Sequence, residues 1–135
     1  MKAVIVGCGR VGAYVASELD GEHAVTVIDW NPSAFDRLSN DFNGETIVGN
    51  GIDVDVLKLG QANESDVFMA LTDSDNTNVT AAQIARAMGA GRSIARVYDA
   101  ERSEIYEELG LTAVSPTIYG AQRLFNLVVG AEEDV

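Results

Sequence analysis

Residues 3–19 read AVIVGCGRVGAYVASEL, and no other stretch limits the fold so tightly. Ala3, Val4, Ile5 and Val6 form an unbroken apolar run, the pattern of a strand buried on both faces. Glycines at 7, 9 and 12 interrupt it, and around them Val11, Val15 and Leu19 recur at every fourth position, the spacing of one helix face. A strand that turns sharply into a helix commits the chain to an architecture in which the two alternate.

The rest of the sequence keeps that alternation. KAVIV (2–6), AVTVI (24–28), ETIV (45–48), DVFMAL (66–71), SIARVY (93–98) and TAVS (112–115) read as six strands. Helical spacing fills the gaps. Val79, Ala82, Ile84 and Met88 give the Ala-rich segment 76–88 an apolar side, and Ile105 and Leu109 mark a helix that Gly110 ends. Pro116 opens a last helix flanked by Leu124, Phe125 and Val128. These predict an α/β fold, a Rossmann-type doubly wound six-stranded parallel sheet with helices on both faces. No linker divides the 135 residues, so 1–135 is expected to be one domain. The apolar flank of the last helix either covers the domain's own sheet or forms a dimer surface.

Charge removes whole classes of partner. Nine Lys and Arg face 21 Asp and Glu, a net charge of −12 that repels polyanions, so nucleic acid is not an expected ligand. The apolar runs fall far short of the roughly 18 residues a membrane span requires. Lys2, four apolar residues and then glycines do not make a secretory signal. No direct membrane insertion and a cytoplasmic location are expected. Cys8 is the one cysteine, which leaves no internal disulfide and no metal cluster.

The glycines have separate physical jobs in a dinucleotide fold. Gly7 permits the tight turn, Gly9 lets backbone approach a pyrophosphate, and Gly12 lets the helix lie close to the sheet. The helix N-terminus behind them presents unpaired N–H groups and a partial positive charge to a phosphate. Twenty residues past Gly9, at the end of the second strand, stands Asp29, placed to accept hydrogen bonds from an adenosine ribose. Trp30 and Asn31, rather than an arginine, follow that acid, which disfavours a 2′-phosphate. Arg10 inside the turn is placed for a phosphate contact, since a cation at a positive helix end is awkward without an anion.

Ligands of open α/β sheets bind beyond the carboxyl ends of the strands. Asn50 and Gly51 after the third strand, Thr72 and Asp73 after the fourth, Arg96 on the fifth and Thr117 just after the sixth therefore face the same crevice. Each also has a plain reading, because Asn, Asp and Gly form loops and cap helices anyway. Catalysis needs a proton-transfer group or nucleophile near the crevice. His23 and Lys2 precede strands and fall at the opposite edge, Lys58 lies on a solvated helix, and Cys8 reads as a small apolar filler. No catalytic residue and no enzyme activity are expected. The alternative is the cofactor-binding domain of a small NAD-dependent oxidoreductase.

Across nearly all its length the chain resembles the N-terminal, nucleotide-binding half of the Trk/Ktr and RCK regulators of potassium transport. The likeness rests on VIVGCGRVGAYVASEL, VTVIDWNPSAFDRL, IVGNGIDVDVLKLGQANESDVFMALTDSDNTN and ARVYDAERSEIYEELGLTAVSPT. It implies a TrkA-N (RCK N) domain that binds NAD(H), or ATP or ADP, as a regulatory ligand. It also implies that such domains pair or form a ring beneath a membrane-embedded potassium transporter or channel subunit. By matching positions, Gly7, Gly9, Arg10, Val11 and Gly12 surround phosphates. Asp29 takes the ribose, with Trp30, Asn31, Asn50 and Gly51 near the adenosine. Thr72, Asp73 and Arg96 lie toward the distal end of the ligand. Thr117 stands where some Ktr relatives carry a glutamate used between subunits, so the resemblance implies no metal-bridged mode here. Full-length members continue into a smaller C-terminal regulatory domain, and residues 1–135 are expected to hold none of it.

Overall fold

In a computed structural model, residues 1–130 of the chain are described, so the last five positions of the expected 1–135 domain lie outside the described residues. Six strands form one parallel sheet: β1 (Lys2–Val6), β2 (Ala24–Asp29), β3 (Glu45–Val48), β4 (Val67–Ala70), β5 (Arg92–Arg96) and β6 (Thr112–Val114). Their order is β3-β2-β1-β4-β5-β6, a doubly wound sheet whose direction of growth reverses between β1 and β4. The predicted strands all appear. The fourth, fifth and sixth end one or two residues earlier than their apolar runs, because Leu71, Val97, Tyr98 and Ser115 already belong to the loops at the strand ends.

The helices are α1 (Arg10–Leu19), α2 (Val54–Leu59), α3 (Asp75–Met88), α4 (Ser103–Glu108) and α5 (Pro116–Val129). Their ends carry the expected signals. Ser74 caps α3 by accepting from the Thr77 amide at 3.2 Å, and Gly89 closes it in the left-handed region at φ 119°. Between β2 and β3 the chain forms only a 3-10 turn, Pro32–Arg37, capped by Asn31.

Successive residues of a strand face opposite ways, so the core divides into two layers. Val4, Val6, Ile28, Phe68, Ala95 and Val97 meet α2, α3 and α4 through Leu57, Ala82, Ala85 and Tyr106. Ile5, Val25 and Val27 meet α1 through Ala13 and Ala16. Gly12, Ala13 and Ala16, not Val11, are the residues α1 buries, and Val11 is left exposed beside the strand ends. Likewise α4 buries Tyr106, while Ile105 and Leu109 stay exposed.

The second layer is incomplete. Register aligns Ile5 with Met69 and Met69 with Ile94, so these point to the α1 face, yet Met69 and Ile94 are only half-buried. Helix α5 does not cover them: none of its fourteen residues is buried, and Leu124, Phe125 and Val128 are 67%, 65% and 85% exposed. Within the described residues, the apolar flank of the last helix therefore does not serve its own sheet.

Candidate nucleotide-binding site

The carboxyl ends of β1, β2, β4 and β5 open into one cleft of ≈ 840 Å³ at the point where strand order reverses. Twelve of the thirteen residues expected at a site line it: Gly7, Gly9, Arg10, Val11, Asp29, Trp30, Asn31, Asn50, Gly51, Thr72, Asp73 and Arg96. Gly12 lies behind the turn, buried. Thr117 is on the first turn of α5 and does not line the cleft.

The three turn glycines are held by three different constraints. Gly7 adopts φ 101°, and a Cβ there would come within 3.0 Å of the Leu71–Thr72 backbone. A Cβ on Gly12 would sit 1.9 Å from the Gly7 carbonyl oxygen, so the helix can approach the turn this closely only without a side chain. Gly9 is different. Its backbone is extended at φ −82°, which any residue adopts, and a Cβ on it would meet nothing within 4 Å. Helix α1 starts at this open glycine with no side-chain cap and no acid in its first turn, which leaves its leading N–H groups for an outside acceptor.

Asp29 is fixed before any ligand arrives. Its Oδ2 accepts from the Cys8 amide at 2.8 Å and its Oδ1 from the Asn31 amide at 2.9 Å, which ties the end of β2 to the glycine turn. Each carboxylate oxygen retains a second lone pair for a sugar hydroxyl. The neighbouring amides are already engaged: Asn31 Oδ1 accepts from the Ser33 amide and hydroxyl, and Asn50 Oδ1 accepts from the Ile52 amide at 3.1 Å. Gly51 is explained by packing, since a Cβ there would lie 2.3 Å from Val6 Cγ1.

Burial, then the Asp29 carboxylate, pushes the Cys8 thiol up to about 11, with Arg37 acting in the opposite direction. At neutral pH this thiol is protonated and enclosed, a filler rather than a nucleophile. His23 lies at the other edge of the sheet, 3.3 Å through Nδ1 from the terminal amine.

Two residues of this region escaped the sequence reading. Asn78, fully buried on α3, accepts from the Thr72 amide (2.8 Å) and hydroxyl (2.6 Å) and donates to the carbonyls of Thr72 (3.0 Å) and Arg96 (2.9 Å). It locks the ends of β4 and β5 together. Arg37, at the end of the 3-10 turn, reaches the cleft on the Asp29 side. A signal existed for Arg37 in its distance from the acid, but only a turn in place of a long helix brings it back. Arg10, Arg37 and Arg96 form no ion pair among the described residues, so a chain of charge −12 keeps three unneutralised cations around one cleft.

The sequence model of the TrkA-N domain matches residues 3–116. The chain belongs to the TrkA-N domain family. The Trk system potassium uptake protein TrkA of Streptomyces coelicolor is 39% identical to it over 136 residues, which take in 98% of this chain and 61% of that protein. The chain thus spans about three-fifths of the length of that relative. Among solved structures, the TrkA-N domain of the Escherichia coli inner membrane protein ybaL superposes with a TM-score of 0.82 at 20% identity, covering 93% of this chain and 95% of that one. The AMP-bound Kef C-terminal domain of Shewanella denitrificans gives 0.77 at 19% identity, covering 98% and 84%. The GsuK channel bound to NAD gives 0.70 at 20% identity, covering 84% and 21%. These likenesses bear out the six-stranded Rossmann-type fold and the family read from the motifs.

Proposed function

We propose that this chain is the nucleotide-binding regulatory domain of a potassium-uptake system, comprising residues 1–135. It takes NAD(H), or ATP or ADP, into the cleft and performs no chemistry on it. Adenosine lies on the Asp29 side with Trp30, Asn31, Asn50 and Gly51, phosphates lie at Gly7, Gly9, Arg10, Val11 and Gly12, and the distal end faces Thr72, Asp73 and Arg96. Bound nucleotide biases the arrangement of paired or ring-assembled domains, and that arrangement controls a membrane-embedded transporter or channel subunit from the cytoplasmic side. Only a difference in affinity between two arrangements lets a ligand do this. Support for the ligand class comes from the relatives named above, one holding AMP and one NAD. Support for pairing comes from α5, a helix with no buried residue of its own.

The observation that carries the reading is Gly9. Neither its dihedral angles nor any neighbouring atom requires glycine there, and it faces the cleft at an uncapped helix start. The empty volume beside it suits a phosphate that comes within contact distance of the backbone. The residues present fit such a group, since three cations and free helix amides converge where one negative chain would otherwise offer repulsion.

Gly9→Ala tests this directly. Its stability is expected to stay within about 0.5 kcal/mol of wild type, while calorimetric affinity for NADH, ATP and ADP falls at least tenfold, about 1.4 kcal/mol. Gly12→Ala is the contrast, because it loses fold and binding together. Wild-type protein that binds none of these nucleotides, or a Gly9→Ala variant that binds them normally, overturns the proposal. Trp30, the one tryptophan and 78% exposed on the cleft rim, provides a second readout through its fluorescence.

A further inference from the structure

We propose that Tyr98 sets ligand selectivity without touching the ligand: its ring holds the Arg96 guanidinium in place for the terminal phosphate of a nucleoside triphosphate at the far end of the cleft. This rests on the nucleotide reading above. Arg96 closes β5 and lines the cleft, whereas Tyr98, two residues on, does not. The guanidinium carbon stands 4.6 Å from the centre of the Tyr98 ring, within the roughly 6 Å over which a cation is drawn to an aromatic face. Arg96 Nε is buried and has no hydrogen-bond partner among the described residues. Closed off from the cleft and without a polar partner, Nε leaves the Tyr98 ring as the contact that orients the guanidinium.

The ring itself is anchored. Asp75, at the start of α3, accepts from the Tyr98 amide at 2.7 Å through Oδ1 and from the Asp99 amide at 3.0 Å through Oδ2, which fixes the backbone that carries the ring. The Tyr98 hydroxyl points toward Asp73 Oδ1 at 3.4 Å, long for a hydroxyl–carboxylate bond. The aromatic face therefore does the positioning and the hydroxyl contributes little. Burial first, together with Asp73 and Asp75, keeps the phenol above its ordinary range despite Arg96, so the hydroxyl stays neutral.

Distance selects the ligand class. Strands in a sheet are about 4.8 Å apart, so β5 lies about 10 Å from β1 across β4. A diphosphate seated at the glycine turn stops short of β5. A third phosphate extends toward β4 and closes the gap to an arginine side chain. Asp73, on the same rim, disfavours an anion that arrives without that arginine in position.

The experiment is calorimetry of ATP and ADP, without divalent cations, on the full chain as wild type, Tyr98→Phe and Tyr98→Leu. Wild type is expected to prefer ATP. Tyr98→Phe keeps the preference within twofold. Tyr98→Leu cuts it about fivefold while ADP affinity stays within twofold. Equal loss of ATP and ADP in Tyr98→Leu, an unchanged ratio, an effect of Tyr98→Phe as large as that of Tyr98→Leu, or a wild type indifferent to the third phosphate each overturns the inference. Binding of NADH but of neither ATP nor ADP also overturns it and leaves the nucleotide reading standing. Binding of none of the three defeats both.

Discussion

Asn78 offers the sharpest test of how this site is held together. Four hydrogen bonds run from its amide to the ends of two strands, and the residue is fully buried. Asn78→Leu keeps the volume and removes all four. At a net ~0.5–1.5 kcal/mol each, the loss spans about 2–6 kcal/mol. Thr72 is half-buried and its freed groups reach cleft water, so the expected cost is near the lower end, about 3 kcal/mol. That is a large share of the 5–15 kcal/mol typical of a whole domain. Urea unfolding followed by circular dichroism should show the midpoint falling by roughly 1.5 M at unchanged slope. Asn78→Asp adds a signature that a simple packing defect lacks. The carboxylate still accepts from the Thr72 amide and hydroxyl, but its other oxygen faces two carbonyls to which the amide had donated. This raises the folded-state pKa of the new acid above its unfolded value near 3.9. The folded state then binds more protons above that pH, so the deficit relative to wild type grows as pH rises through the interval between the two values. A loss below 1 kcal/mol in Asn78→Leu, or a deficit in Asn78→Asp that is flat from pH 4 to pH 8, refutes the assignment of this residue as the link between β4 and β5.

Cys8 gives a second pH dependence with its own window. Its folded pKa of about 11 lies above the ordinary 9.0, so the unfolded chain releases the proton first and stability falls as pH rises from 9 to 11. The fall amounts to roughly 2–3 kcal/mol at most, and comparison with Cys8→Ala in thermal melts across that range should flatten the curve by this amount; parallel curves contradict it. On α5, Leu124→Asp with Phe125→Asp removes two side chains worth about 1.5–3 kcal/mol each when buried between copies. Self-association measured by sedimentation velocity should weaken at least a hundredfold while the melting temperature of the dilute chain stays put. A wild type that remains monomeric at high concentration removes the pairing proposal.

The first βα turn was legible because two periodicities meet at it. An apolar run with no alternation gives way within six residues to a fourfold repeat, and glycines mark the junction. The strand ends followed, since each apolar run stops at Gly, Asp, Ser or Thr. Asn78 was not legible. In NVTAAQIARAM it reads as one more polar position of a helix, and its partners lie six and eighteen residues away on strands that only the tertiary fold brings together. Arg37 was hidden for a related reason: the Pro32–Arg37 turn is too short to carry it away from the acid, and no local pattern announces a crossover without an α-helix. Val11 shares the fourfold spacing of Val15 and Leu19 yet stays outside, because glycine and alanine allow α1 to press against the sheet with its smallest residues, and it lines the cleft instead. For α5, apolar character is spread over Ile118, Tyr119, Leu124, Phe125, Leu127 and Val128, and composition says that such a helix wants cover without saying whose.

The half-dressed side of the sheet has a mechanical corollary. Register places Arg96 beside Val114, on the same side as Ile94, just past Met69, the last residue of β4 to pack into the α1 layer. One bare apolar terrace therefore borders the cation that stands at the outer rim of the cleft. With a ligand's far end at Arg96 as proposed, any body resting on that terrace would touch the same row of side chains, so occupancy and docking would compete or cooperate through direct contact, with no relay through the core.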